Sequence, residues 1–275
     1  MNKSNYRPVV LAIAGSDSGG GAGIQADLKA INAMGGWGAT AISCLTAQNL
    51  DGVRSVQPTE PGVLADQIDA VYDGFDVRAV KTGMLYSAEL IEVVVDRLLH
   101  HREVQLVVDP VMVATSGAAL LRGDAVDTLR DKLLPIACLV TPNLHEAAIL
   151  AGHEVTDLES MTDSAARIHD LGPSWVLIKG GHLEGDAVDV LFDGENSHVL
   201  FANRVDATTA THGTGCTLAS AIATCLATGM EMTEAVELAK QTLTNAIRNP
   251  ADLGADVEAL DLFWAGHHRD VVFTL

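Results

Sequence analysis

A chain of 275 residues, 48% of them hydrophobic, can fill a complete core in one α/β domain. Its formal net charge of −19 and isoelectric point near 4.7 argue against sequence-independent nucleic-acid binding, which needs Lys and Arg gathered to displace counterions from phosphate backbones. No apolar run approaches the ~20 residues of a spanning helix, residues 1–10 lack the pattern of a secretory signal, and Cys44, Cys138, Cys216 and Cys225 stand too far apart for a Cys-x-x-Cys zinc site or a disulfide framework. We therefore expect no membrane partner and a reducing, cytoplasmic location.

In chain order, residues 9–14 predict a first strand, followed by a glycine cluster and a helix over 24–34 that stops at Gly35 and Gly36. Strands are predicted at 39–45 and 79–82. A helix over 87–100 has Ser87 as its N-cap and Glu89 and Glu92 in its first turns. Further strands fall at 105–109, 138–141 and 175–179, with connections long enough for parallel pairing. Runs 187–192 and 198–202 flank Asp193-Gly194-Glu195-Asn196, a hairpin loop that predicts an antiparallel edge. Helices over 214–228 and 233–248 follow, the second closed by Asn249-Pro250. The whole reads as β-α units feeding a mostly parallel sheet. No linker or repeat interrupts it, so residues 1–275 are expected to form a single domain.

The most informative segment is Thr211-His212-Gly213-Thr214-Gly215-Cys216-Thr217, which opens an apolar helix. Glycines let the backbone approach a ligand, and the free N–H groups of a helix start form an anion site. A thiol there would have its thiolate favoured by the same positive end, which makes Cys216 a candidate base; a plain cap with a small buried cysteine is the competing reading. The earlier cluster, Gly15-Ser16-Asp17-Ser18-Gly19-Gly20-Gly21-Ala22-Gly23, invites a dinucleotide fingerprint, but its glycine spacing does not match and no acid ends the second strand. A substrate loop and a packing turn both remain open there, and Asp27 on the following helix is either a dipole partner or a ligand contact.

Asp109, before Pro110-Val111-Met112, ends an apolar strand at the edge where open α/β sheets bind ligands. One unit later Asn143 and Glu146 have the spacing of a capping box, and as oxygen donors they also suit Mg²⁺. Lys179 ends another apolar strand before Gly180-Gly181-His182 and would meet an anion on the same ridge. His145 and the pair His267-His268 lack metal-ligand spacing and are expected in solvent.

Together these segments resemble the hydroxymethylpyrimidine and phosphomethylpyrimidine kinases of thiamine biosynthesis, a branch of the ribokinase superfamily. The resemblance runs through Ala14-Gly15-Ser16-Asp17, Gly20 to Asp27, Thr46-Ala47-Gln48-Asn49, Lys81-Thr82-Gly83-Met84-Leu85, Asp109-Pro110-Val111-Met112, Thr141-Pro142-Asn143-Leu144 with Glu146, Lys179 to His182 and His212 to Cys216. It implies a ribokinase-like three-layer αβα sandwich without a separate lid domain, a homodimer, and two successive transfers from MgATP. The first would go to the hydroxymethyl oxygen of 4-amino-5-hydroxymethyl-2-methylpyrimidine and the second to the resulting monophosphate.

By the same resemblance Gln48 and the Gly15 backbone meet the pyrimidine edge, Asp27 stands near the hydroxymethyl end, and Met84 and Val111 pack the ring. Asp109, Asn143 and Glu146 organise Mg²⁺ and phosphates, Lys179 contacts the nucleotide phosphates, and Gly213, Thr214, Gly215 and Cys216 form the anion hole. Ser18-Gly19 replaces the family's common Pro-Ser and is expected to touch no contact. A pyridoxal kinase of the same branch, an idle ligand-binding protein and an NAD-dependent oxidoreductase are the rival readings. Gln48 favours the aminopyrimidine, because an amide both donates and accepts along that edge.

Overall fold

Strands that are apolar at successive positions need a layer of helices on each face of their sheet. The computed structural model describes residues 6–49, 52–112, 121, 123–181, 187–202, 205, 210–254 and 257–263. Nine strands form one sheet in the order β3-β2-β1-β4-β5-β6-β7-β8-β9. They are β1 (Val9–Asp17), β2 (Trp37–Asn49), β3 (Gly52–Pro58), β4 (Val77–Thr82), β5 (Gln105–Val108), β6 (Leu139–Val140), β7 (Trp175–Gly180), β8 (Ala187–Phe192) and β9 (Ser197–Ala202). From β2 through β7 neighbouring strands run parallel, while β3, β8 and β9 add antiparallel edges. Asp193 organises the β8–β9 turn by accepting the N–H groups of Glu195 (2.8 Å) and Asn196 (2.6 Å).

Alternation along each strand sorts its side chains between two cores. Leu11, Ile13, Leu106, Val108, Val176 and Ile178 face a layer made by α2 (Pro61–Gly74), α3 (Ala88–His100), α4 (Ala125–Thr128), α5 (Leu144–Ala151) and α6 (Leu158–His169). Val10, Ala12, Val107, Leu139 and Leu177 face α1 (Gly23–Ala33), α7 (Thr214–Ala227) and α8 (Met232–Arg248). Every residue of α7 from Thr217 to Ala227 is buried, which explains why its sequence is apolar all round. The result is the expected three-layer αβα sandwich.

The chain leaves β1 for β2 on one side and returns to β4 on the other. The strand order therefore reverses between β1 and β4, and a crevice opens at their C-terminal ends. A register shift between Ala14 and Ser16 bends β1 at that point. Segments β3, α2, α4, α6 and the small pair β10 (Ala251–Asp252) and β11 (Glu258–Ala259) have no counterpart among the predicted elements. Edge strand β3 is mostly exposed and reads as loop, and α2 buries only Leu64 and Ile68 among its residues. Since that pair fastens α2 to the sheet, Ile68→Ala should lower stability by about 2–5 kcal/mol, read as an earlier midpoint in denaturant unfolding.

Candidate active site

The start of α7 carries the first feature of the crevice. Its N-cap, Gly213, has φ of +78° and no side chain caps the helix; Thr214 N–H makes a long 3.5 Å contact to the Thr211 carbonyl, while the amides of Gly215 and Cys216 have no backbone acceptor among the described residues. Gly213 is required twice over: its backbone lies in the left-handed region, and a Cβ there would stand 1.8 Å from the carbonyl oxygen of Gly21. A Cβ on Gly215 would come within 3.1 Å of Lys179 Nζ and 3.6 Å of Asp109 Oδ2. The helix start, the lysine of β7 and the acid after β5 thus converge on one small volume.

Lys179 donates to Asp109 Oδ1 at 2.9 Å, and Thr141 Oγ1 donates to the same oxygen at 3.3 Å. Burial works against the Lys179 charge, but Asp109 and Glu146 outweigh it and raise its pKa. Asn143 and Glu146 do form the capping box of α5: Glu146 N–H donates to Asn143 Oδ1 (2.9 Å), and Asn143 N–H donates to Glu146 Oε2 (2.8 Å). Burial lifts the Glu146 carboxyl from its ordinary 4.5 to about 7, opposed by Lys179 and assisted by Asp109. Glu146 and Asp109 are 3% and 2% exposed. Among the described residues no cluster of three His, Cys, Asp or Glu could hold a metal unaided.

Beside this anionic ridge lies an apolar slot. Cys44 and Met84 form its buried base, with Val53, Val56, Tyr86 and Val111 packed around them. A Cβ on Gly15 would stand 2.8 Å from Cys44 Sγ, so only glycine lets the backbone line the slot. Tyr86, with φ of +70°, holds an unfavourable left-handed backbone where the chain leaves Met84. Gln48 closes the polar rim, between Thr46 and His212. Ser18 Oγ donates to the Gln48 carbonyl (2.6 Å) and accepts its N–H (2.8 Å). Contrary to expectation, the Ser18 departure therefore bears directly on how Gln48 is seated.

Two site residues depart from what their sequence suggests. The Cys216 thiol is not activated by the helix start: burial pushes it up to about 11, and the nearby Lys81 charge recovers only part of the shift. Asp27 does not line the slot. It is fully buried, accepting from Lys81 Nζ at 2.8 Å and from Ser220 Oγ at 2.7 Å. His145 is exposed as expected, whereas His182, His267 and His268 lie outside the described residues.

Sequence reasoning gave no role to Asp17, His212, Lys81 and Ser220. Asp17, 2% exposed, accepts the N–H groups of Gly19 (2.8 Å), Gly21 (3.1 Å) and Ala22 (2.8 Å) and contacts His212 Nε2 at 3.0 Å. It thereby ties the glycine loop to the segment before α7. Burial alone would raise its pKa, but His212 and those amides outweigh it and lower the value. A lysine inside the apolar run of β4 was the available signal for Lys81, the same signal that marked Lys179.

An uncapped helix start, a lysine and acids on the strand ends, and an apolar cluster beside them on this three-layer fold are the arrangement of a ribokinase-like small-molecule kinase. The family model described as phosphomethylpyrimidine kinase matches residues 17–261, and the chain belongs to that family. It is 51% identical over 249 residues to the thiamine biosynthesis bifunctional protein of Geobacter sulfurreducens, covering 90% of this chain but only 51% of that protein. The chain thus spans about half the length of that relative. It is 48% identical to the hydroxymethylpyrimidine/phosphomethylpyrimidine kinase of Streptomyces coelicolor, covering 94% of this chain and 95% of the other.

Among solved structures, an ADP complex of Bacillus subtilis pyridoxal kinase superposes with a TM-score of 0.87 at 37% identity, covering 94% of this chain and 99% of that one. Phosphomethylpyrimidine kinase from Clostridium difficile superposes with a TM-score of 0.78 at 43% identity, covering 88% and 100%. Because a Cβ at position 213 would collide with backbone rather than with a side chain that can turn away, Gly213→Ala should cut turnover by about 100-fold or more. Far-UV circular dichroism should confirm that the variant is still folded.

Proposed function

We propose that this chain transfers the γ-phosphoryl group of ATP to 4-amino-5-hydroxymethyl-2-methylpyrimidine, and then to the monophosphate so formed, in thiamine biosynthesis. The observation that carries the reading is the convergence at Gly215 of the α7 helix start, Lys179 and Asp109 beside the slot rimmed by Gln48. Residues 1–275 act in this reading as one kinase domain, as a homodimer, in the reducing cytosol. Four free cysteines are in keeping with that last point.

Phosphoryl transfer spreads charge over the equatorial oxygens of the moving group, so positioning and electrostatic stabilisation provide most of the catalysis. The amides of Gly213, Thr214, Gly215 and Cys216 receive that charge, and Lys179 and Asn143 address the nucleotide phosphates. Gly15 and Gln48 hold the pyrimidine edge while Met84 and Val111 grip its faces. Buried Asp109 and Glu146 are hard oxygen donors of the kind that share Mg²⁺ with substrate phosphates and water, so they fit that cation as a partial ligand set. When bound, Mg²⁺ supplies charge neutralisation at the phosphates.

Cys216 contacts the attacking hydroxyl as a neutral thiol and takes part in proton removal only late, in keeping with a thiol held near 11. Cys216→Ala is therefore expected to lower kcat by roughly 10²-fold with little change in ATP affinity, measured by steady-state kinetics and calorimetry. An undiminished kcat removes Cys216 from the reaction. Glu146 must lose its proton before it can serve a cation, so the half-saturating Mg²⁺ concentration should fall as pH rises through about 7 and level off above it. In the metal-free protein the sign for stability is the reverse. The folded carboxyl binds its proton more tightly than the unfolded one, so stability falls between pH 4.5 and about 7. Glu146→Gln should abolish both dependences.

Pyridoxal is the second substrate to test, because the pyridoxal kinase superposition has the higher TM-score. ³¹P NMR of the protein with MgATP and each vitamin precursor decides: sequential monophosphate and diphosphate from the pyrimidine is the expected outcome. Phosphorylation of pyridoxal alone would overturn the reading.

A further inference from the structure

Below the anion hole, at the reversal of strand order, lies a buried charge pair that the reaction as described does not use. Lys81 of β4 and Asp27 of α1 are both fully buried and meet at 2.8 Å. Ser220 of α7, also fully buried, donates to the same Asp27 oxygen at 2.7 Å. Asp27 Oδ2 has no protein partner among the described residues, and the one described acceptor of the Lys81 ammonium is Asp27 Oδ1. A buried pair with part of its bonding capacity unfilled is a poor device for stability, since desolvating both ions costs more than one such contact returns.

Its placement suggests a different use. Helix α7 has no side-chain cap at its start, and its first turn is held locally only by Thr214, whose hydroxyl and N–H donate to the Thr211 carbonyl at 3.1 and 3.5 Å among the described residues. Two further contacts come from outside. On one side Gly213 lies against Gly21, too close to admit a Cβ. On the other, Ser220, four residues beyond Cys216, is bonded through Asp27 to Lys81 and so to the central strand β4. Gly83 leaves room for this arrangement, because a Cβ there would stand 2.8 Å from Lys81 Nζ. Burial disfavours the Lys81 charge, yet Asp27, Cys216 and Asp109 outweigh it and keep the ammonium protonated. The Asp27 carboxyl is in turn raised by its burial.

We propose that Lys81 and Asp27 act as a positioning pair for phosphoryl transfer, fixing through Ser220 where the first turn of α7 stands against the strand ends. The inference rests on the kinase reading above. It reassigns Asp27 from a direct substrate contact to a group acting through α7.

Two variants separate the parts. Ser220→Ala cuts the connection to α7 and leaves both charges in place, while Lys81→Met combined with Asp27→Asn removes both charges and keeps an acceptor for Ser220. Each should lower kcat about 10-fold or more, because small displacements of a catalytic group are costly, while KM for ATP and for the pyrimidine stays within about twofold. Ser220→Thr, which retains the hydroxyl, should recover most of the loss. A purely structural role would lower Tm and spare kcat at temperatures where the protein is folded. Ser220→Ala with kcat within about twofold of wild type, whatever its Tm, overturns the proposal, and it decides the matter alone if the double variant fails to fold. Wild type assayed in parallel keeps the two readings apart. An inactive wild type removes the kinase reading and this inference together, whereas an active wild type with an unimpaired Ser220→Ala removes only the inference.

Discussion

Free amide groups at a helix start attract anions only while no side chain occupies them, and that condition shapes the whole crevice. At position 213 the left-handed backbone and the nearby Gly21 carbonyl admit only glycine, so no capping side chain can occupy the helix start. Glycine there leaves the helix uncapped and transfers the work of holding it to its neighbours. The close contact with Gly21, the packing of Thr217 to Ala227 on every side, and the Ser220 connection to Asp27 all follow from that choice. The glycine loop after β1 is fixed in turn by Asp17, which accepts three of its amides.

The strand ends carry a second constraint, the balance of charge. Asp27, Asp109 and Glu146 face Lys81 and Lys179 in a volume largely closed to water. Each lysine is held protonated by the carboxylates around it, against its own burial, and Glu146 retains its proton up to about pH 7. A site with more acids than ammoniums repels a nucleotide polyphosphate unless a cation or a proton offsets the excess. Glu146 can supply that adjustment because its carboxyl titrates in the working range, and its capping bonds keep its oxygens in place in either state.

The layered fold was legible because apolar residues at successive positions mark strands covered on both faces; strands over 9–14, 79–82, 105–109 and 175–179 lie within a residue or two of their observed starts. The exposed edge strand β3 and the lightly anchored α2 were not legible, since neither bears a pronounced apolar face. In the site, motifs confined to one stretch of chain were readable: the helix start at Gly213, the acid after β5 and the capping box of α5. Lys81 and Ser220 escaped, and Asp27 was noticed without its partners, because their meaning lies in contacts between residues 54 and 193 positions apart. The protonation of Cys216 was not legible for a related reason. Position on a helix start argues for a thiolate, but the atoms that bury the thiol come from elsewhere in the chain and act more strongly.

Hydrogen-bond accounting around Gln48 gives the slot its chemical direction. The Thr46 hydroxyl has one proton, and the shorter of its two contacts, 2.9 Å to the Ser16 carbonyl against 3.2 Å to the Gln48 amide, claims it. Gln48 Oε1 is the amide atom facing Thr46 and accepts at most a share of that proton, while Gln48 Nε2 lies on the His212 side. His212 Nε2 donates its one proton to Asp17 at 3.0 Å, so it offers Gln48 Nε2, 3.4 Å away, neither a proton nor a lone pair. Gln48 therefore keeps its amide N–H groups and an oxygen lone pair for a ligand. That pairing suits a ring nitrogen next to an exocyclic amine, and a phenolic edge would leave part of it unanswered.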